Sequence, residues 1–184
     1  MKISKWQIEI RLERKQKDIF FAGHFQSPIP VGDQDRFKSL TYYPPNPDYY
    51  FELELHEHSQ KKMLKIEDTQ GNAKNFIRWG EFHFKVGDEE CKVQAYKNDP
   101  REERLFIPFR DATSGKKTYG AGRYLDLSPE EHLTAAGKWI LDFNRAYNPW
   151  CAYNNNYACP YVPPENWLKV KILAGEKKYT LGDR

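Results

Sequence analysis

Two carboxylates, Asp111 and Asp142, stand where apolar runs give way to polar ones. RLFIPF precedes the first, in FRDATSGKKTYGAGRY, and KWIL precedes the second, in DFN. A carboxylate at the mouth of a strand can move a proton when a cleft holds it against a substrate. Arg110 and Arg123 lie close by in the first motif, and a guanidinium offers a planar fork suited to carboxylate or phosphate. This pattern predicts acid/base chemistry on a small polar or anionic metabolite, with Asp111 and Asp142 catalytic and Arg110 and Arg123 holding an anion. Thr113 and Tyr119 add hydroxyls beside them. Asn144, Asn148 and Asn154 add amides that both donate and accept. Asp111, Arg123, Asp142 and Asn144 are expected to meet in one concavity near Tyr119. Arg123→Lys is then expected to weaken ligand binding more than folding.

The same residues have plainer readings. Arg110 and Asp111 can pair locally in a tight hairpin. Asn residues in LDFNRAYNPWCAYNNNYACPYVPPEN can staple the backbone of an irregular loop, whose polar groups need partners. A non-catalytic binding or interaction module is therefore a second class of function. A flavin-binding split barrel, recognisable by a yellow protein, is a third. No motif names a cofactor. Gly120 and Gly122 would allow a bulge or a ligand's close approach, but Leu125 stands where a dinucleotide fingerprint needs its third glycine. SGKKT lacks the first glycine of a phosphate loop. Cys151 and Cys159 read as buried thiols, a loop-closing disulfide or half of a zinc site, and no metal ligand set is assigned. A catalytic Cys would need a neighbouring base, and none is identifiable. His56 and His58 share a strand face with Glu52 and Glu54, which would allow metal ligation, but a solvated strand face explains the same pattern and is the reading taken. His24 and His83 carry no signal.

These residues need a scaffold, and its period is mostly two. A helix is expected over roughly 3–23, with Ile8, Leu12 and Ile19 near one face and Gly23 and Ser27-Pro28 ending it. After Pro47, YFELELHEH alternates, placing Phe51, Leu53 and Leu55 inward. KMLKIED and NFIRW are further strands, and EFHFKVGDEECKVQAY is a hairpin turning at Gly87-Asp88. RLFIPF, TYGAGRYLDL, KWILDFN and WLKVKILAG complete the strands. Only SPEEHLTAAG looks helical again, with Ser128 as cap. Phe51, Leu53, Leu55, Phe82, Phe84, Val93, Phe106 and Ile107 are expected in one core, with Glu52, Glu54 and His56 outward. The fold class is mainly β and antiparallel, a split-barrel-like form or a sandwich. It carries an N-terminal helix and a long ordered loop over 141–166. Four Tyr and one Trp in that loop are too much apolar surface to leave wet.

Composition sets the partners. The chain has 184 residues, 30% charged and 15% aromatic, with a net charge of +3. It is read as a single domain over 1–184, a helix over 1–24 and a β domain over 36–184. Lys and Arg are interspersed with Asp and Glu, which argues against nucleic acid. No apolar run spans a membrane, and MKISKWQIEIRLERKQKD lacks a signal peptide's apolar stretch. The expected location is cytoplasmic, with all three cysteines reduced. Oligomeric state is left open.

The segments LFIPFRDATSGKKTYGAGRYLDL and LDFNRAYNPWCAYNNNYACPYVPPENWLKVKILAGEK, with the earlier RLERKQKDIFF, SPIP and SLTYYPP, resemble domain-of-unknown-function family 1684. The resemblance covers most of the chain. Trp150 and Trp167 depart from its usual pattern. Its members are uncharacterised bacterial and archaeal proteins, so it implies a site in these two motifs and no activity.

Overall fold

The computed structural model describes residues 4–181. Ile3, expected to open the helix, lies outside them. Helix α1 spans Lys5–Gly23 and begins with a capping box. The Ser4 hydroxyl accepts from the Gln7 amide, and the Ser4 amide donates to the Gln7 side chain, so two orphan donors are satisfied at once.

The helix docks on the side opposite to its apolar stripe. Ile8, Leu12 and Ile19 are 48%, 55% and 65% exposed. Trp6, Ile10, Glu13, Arg14, Lys17 and Phe21 fall on the opposing side at helical spacing, with Ile10 and Phe21 buried. The docked face is held largely by polar contacts. Arg14 donates to the carbonyls of Tyr43 and Asn144, and Lys17 pairs with the buried Glu176.

Among the described residues, seven strands follow in two antiparallel sheets, which do not close into a barrel. The smaller pairs β1 (Tyr50–Leu53) with β7 (Trp139–Asp142). The larger is a meander of β2 (His56–Glu67), β3 (Ala73–Val86), β4 (Glu89–Lys97), β5 (Leu105–Phe109) and β6 (Arg123–Leu127). YFELELHEH thus feeds two sheets, changing from one to the other at Glu54-Leu55. NFIRW and EFHFKV are one long strand, in which Trp79 is the extra residue of a bulge. The β3–β4 hairpin turns at Gly87 with φ of 60°, a conformation that favours glycine.

The main core lies between the sheets. Phe82, Phe84, Val93, Ile107, Phe109, Leu141 and Phe143 are buried in it, with Phe51, Leu53 and Leu55 half-buried against them. Glu52, Glu54 and His56 point outward. Phe106 does not join this core. It faces a second cluster with Ile66, Phe76 and Tyr96, because neighbours on a strand occupy opposite faces and Ile107 already points inward. Phe84 is 4% exposed, with ring centroids of Phe51 and Phe143 at 5.1 and 5.2 Å. Phe84→Ala should therefore cost about 3–5 kcal/mol. A urea-unfolding loss below about 1 kcal/mol would contradict this core placement.

Three expected elements differ. TYGAGRYLDL is a strand only from Arg123. SPEEHLTAAG forms just the single turn α2 (Pro129–His132), and Ser128 makes no side-chain cap. WLKVKILAG is extended and lies outside both sheets. Its first half pairs in parallel with 110–112, through main-chain bonds from Leu168 to the Arg110 carbonyl and from Ala112 to the Val170 carbonyl, and side chains described below answer much of the rest. The long segment over 143–166 is irregular and includes short 3₁₀ turns at Phe143–Arg145, Trp150–Ala152 and Pro164–Asn166. Among the described residues, no helix is long and apolar enough to cross a membrane.

Candidate functional site

The two polar motifs build two different places. In the first, Asp111 leaves β5 and turns inward. Its carboxylate accepts from the Thr113 hydroxyl, from the Thr113 amide and, at 2.8 Å, from the Ile172 amide. Gly115 supplies the expected positive φ, at 82°. Arg123, 1% exposed, donates to the carbonyls of Ile172, Ala174 and Glu176, and lies 3.5 Å from Asp111. Burial pulls its pKa down while Asp111 holds it up. Arg123 and Asp111 thus answer the Ile172 amide and the carbonyls of Ile172, Ala174 and Glu176, while the main chain of Tyr43 and Ala146 answers the Gly175 carbonyl and the Glu176 amide. Gly122, at φ 105°, passes so close that a Cβ would come within 2.6 Å of the Phe109 carbonyl and of Val162. The close approach is made by the chain itself.

In the second place, β7 ends at Asp142, 1% exposed. One oxygen accepts from the Asn144 amide and side chain at 3.0 and 2.9 Å. The other accepts from the Trp6 indole at 2.8 Å and from Arg145 at 2.5 Å. Asn144 also clamps the backbone of Asn46 through both ends of its amide. Asn148 donates to the Lys177 carbonyl, and its own amide donates to Glu176. Asn154 accepts from the Asn156 amide in a surface turn. Asn144 and Asn148 are therefore staples of the irregular backbone. Tyr119 stands elsewhere, its hydroxyl 3.7 Å from the Cys151 sulfur. The Arg110 guanidinium stacks over Trp167 at 4.5 Å, and Trp167 is half exposed.

Where the second place meets α1 there is a cleft of about 690 Å³, within the usual range for small-molecule sites. Trp6, Tyr50 and Tyr147 supply aromatic walls, and Glu9, Glu13, Asp126, Glu131 and Asp142 supply carboxylates. Arg145 and His132 complete the polar lining. Arg145 bonds Glu13 with two nitrogens and Asp142 with a third. Arg104 pairs with Asp126 from outside, and Lys5 with Glu9. Five carboxylates thus face three cations. The acidity registers on the phenols: burial and then Asp126 push Tyr147 up, and burial followed by Glu52 and Asp142 push Tyr50 up. Both stay protonated as donors, and the Tyr147 hydroxyl donates to Asp126. A cavity of about 240 Å³ adjoins, lined by Asn144, Arg14, Lys17, Tyr42 and Glu176 and sharing Glu13, Arg145 and Tyr147 with the cleft.

Of the expected site residues, Asp142 lines the larger cavity and Asn144 the smaller. Asp111, Thr113 and Arg123 belong to the other network, which meets this one at Glu176 through the Arg123 contact to its carbonyl. Trp6, Glu13, Glu131, Arg145 and Tyr147 were not legible as site residues, since they come from three distant segments. For Trp6 and Glu13 the sequence signal is the mixed polar stripe of α1. On the outer face of β3 and β4, His83 lies 2.7 Å from Glu81 and packs at a tilt against His56, while His58 lies 2.7 Å from Gln94. Among the described residues, no group of three or more His, Cys, Asp or Glu is placed to hold a metal ion.

Residues 35–177 match the family described as protein of unknown function (DUF1684). Helix α1, which closes the cleft, precedes the matched residues. No curated protein matches the chain. An uncharacterized protein of Haloarcula marismortui, known from a solution NMR structure, is similar in sequence and fold: 35% identity over 94% of each chain, with a TM-score of 0.70. The match spans most of the chain, including both polar motifs, and the chain belongs to the DUF1684 family.

Proposed function

We propose that the cleft beneath α1 binds a small organic cation, such as an amine or a guanidinium compound. One observation carries the reading: three aromatic rings and an excess of carboxylates line the same concavity. Aromatic faces and carboxylates attract a weakly hydrated cation together, whereas an anion would be repelled by the acids. The anion-binding reading took Arg110 and Arg123: the terminal nitrogens of Arg123 are committed to its own chain, and Arg110 stacks over Trp167, outside the lining of this cleft. The proposal is of binding, not chemistry. Asp142 lines the cleft, but its oxygens already accept four donors, leaving little capacity to act as a base.

The test is a titration with spermidine, choline and arginine amide on one side, and inorganic phosphate and citrate on the other. The readout is the NMR signal of the Trp6 indole N–H. The cations should shift it saturably, and added salt should weaken the effect. Glu131→Gln combined with Glu9→Gln should lower cation affinity by about three- to tenfold, since each exposed carboxylate contributes about 1 kcal/mol or less. If phosphate or citrate moves the signal and none of the cations does, the reading fails.

A further inference from the structure

The irregular segment brings two buried thiols together. Cys151 sits in the 3₁₀ turn Trp150–Ala152, held by the Ala152 amide on the Pro149 carbonyl. Cys159 lies on the return leg, which Thr69 grips from both sides. The Thr69 amide donates to the Cys159 carbonyl, and the Cys159 amide donates to the Thr69 hydroxyl. The Tyr161 amide then donates to the Glu67 carbonyl. These bonds bring the Cys159 sulfur to 3.3 Å from the Cys151 amide nitrogen. The Tyr119 hydroxyl lies 3.7 Å from the Cys151 sulfur. Both cysteines are free thiols. Each is less than a tenth exposed, while Trp150 and Tyr161 beside them are 39% and 45% exposed. The pair is one side chain below the surface.

We propose that Cys151 and Cys159 are a redox-active dithiol, with Cys151 the residue that reacts with hydrogen peroxide and Cys159 the one that resolves it. The Cys151 thiolate attacks one peroxide oxygen. The O–O bond breaks, Cys151 becomes a sulfenic acid, and the departing hydroxide takes up a proton as water. The Cys159 sulfur then attacks the sulfenic sulfur, whose hydroxyl leaves and takes the Cys159 proton as a second water. Two thiols have lost two electrons to one peroxide, and a Cys151–Cys159 disulfide remains.

The order of roles follows from the surroundings. The Cys159 thiol beside it, and then the Tyr119 hydroxyl placed 3.7 Å from its sulfur, favour the thiolate of Cys151. The neighbouring Cys151 sulfur, followed by burial, holds the proton on Cys159. The titratable groups facing Cys151 are Cys159, Tyr119 and Tyr124, with Tyr161 beyond Tyr119. The phenols are pushed up by burial and remain donors. Cys91, on β4, supplies an internal comparison: burial and Glu89 push it up, so its thiolate is scarce at neutral pH. Tyr119 is a positioning residue in this scheme.

The experiment uses the full chain, reduced and then exposed to dilute hydrogen peroxide at neutral pH, quenched with an alkylating agent and mapped by mass spectrometry. The expected result is loss of two hydrogens, a peptide linking Cys151 to Cys159, and Cys91 alkylated in full. Dithiothreitol should reverse it. In Cys159→Ser, dimedone should capture a sulfenic acid on Cys151. In Cys151→Ser, Cys159 should stay unlabelled. Tyr119→Phe should slow the oxidation several-fold at neutral pH and raise the midpoint of its pH–rate profile, with Cys91 unaffected. A merely structural tyrosine would not move that midpoint. Oxidation of Cys91 as fast as Cys151, or dimedone capture at Cys159 in Cys151→Ser, would overturn the proposal.

Discussion

Arg123→Met is expected to destabilise the fold by about 3–5 kcal/mol, the range for breaking a buried ion pair from one side. The guanidinium is 1% exposed, and its partner Asp111 is buried with it. Methionine would fill much of the volume and supply none of the donors. Asp111 would lose its counter-charge, and the carbonyls of Ile172, Ala174 and Glu176 would lose their partner. Arg123→Lys keeps the charge but not the fork, since an ammonium cannot satisfy three carbonyls and a carboxylate in one plane. It should fall between wild type and Met. Urea unfolding with both variants is the measurement. The substitution that looked like a probe of ligand binding in the sequence is a probe of stability in the structure. If Arg123→Met unfolds within about 1 kcal/mol of wild type, the role assigned to Arg123 in satisfying those carbonyls is wrong.

The second large effect is expected at Asn166, which is fully buried. β4 and β5 pair at Tyr96 and Phe106. Two residues along, Gln94 comes opposite Pro108, which has no N–H to give. The Asn166 amide fills that place. Its oxygen accepts from the Gln94 amide at 2.6 Å, and its nitrogen donates to the carbonyls of Gln94 and Pro108 at 2.9 and 2.7 Å. A side-chain amide has the donors and acceptor of a peptide group, so it bridges the ladder where proline interrupts it. Asn166→Ala strands three buried backbone groups, each worth about 1–3 kcal/mol when unsatisfied, and a total loss of about 3–5 kcal/mol is expected. Asn166→Asp keeps the shape but loses the donors, and should be as damaging at neutral pH. Hydrogen exchange should show the Gln94 amide opening early in both variants. Protection there equal to wild type would refute the bridging role.

The same two residues mark how far the sequence could be read. Asn166 was only the last letter of an Asn-rich stretch. Its value depends on Pro108, 58 positions earlier, and no local pattern relates the two. WLKVKILAG has a strand's alternation, but its main-chain pairing with 110–112 is short, and beyond it Asp111 and Arg123 answer backbone groups that a longer ladder would have taken. Cys151 and Cys159 could be counted but not paired, because Thr69 sets the return leg that brings them together. The cleft was the least legible of all, since Trp6, Asp126, Asp142 and Arg145 meet only after α1 has docked.

What the sequence determined by itself are the features carried by neighbours within a few positions. Alternation placed Phe82, Phe84 and Val93 inward and Glu52 and Glu54 outward. Gly115 and Gly87 marked turns that need a positive φ. Aromatic density in the loop led to a packed, irregular segment, and the two long motifs pointed to the family. Tertiary structure decided which face of α1 docks. A periodic apolar stripe favours burial only when the opposing surface is apolar. Here the opposing surface presents Asp142, Asn144 and Glu176, so the stripe of Trp6, Arg14 and Lys17 faces inward and Ile8, Leu12 and Ile19 remain outside. Long-range polar pairing outweighed local hydrophobic pattern because buried charges left without partners would cost more than three exposed aliphatic side chains.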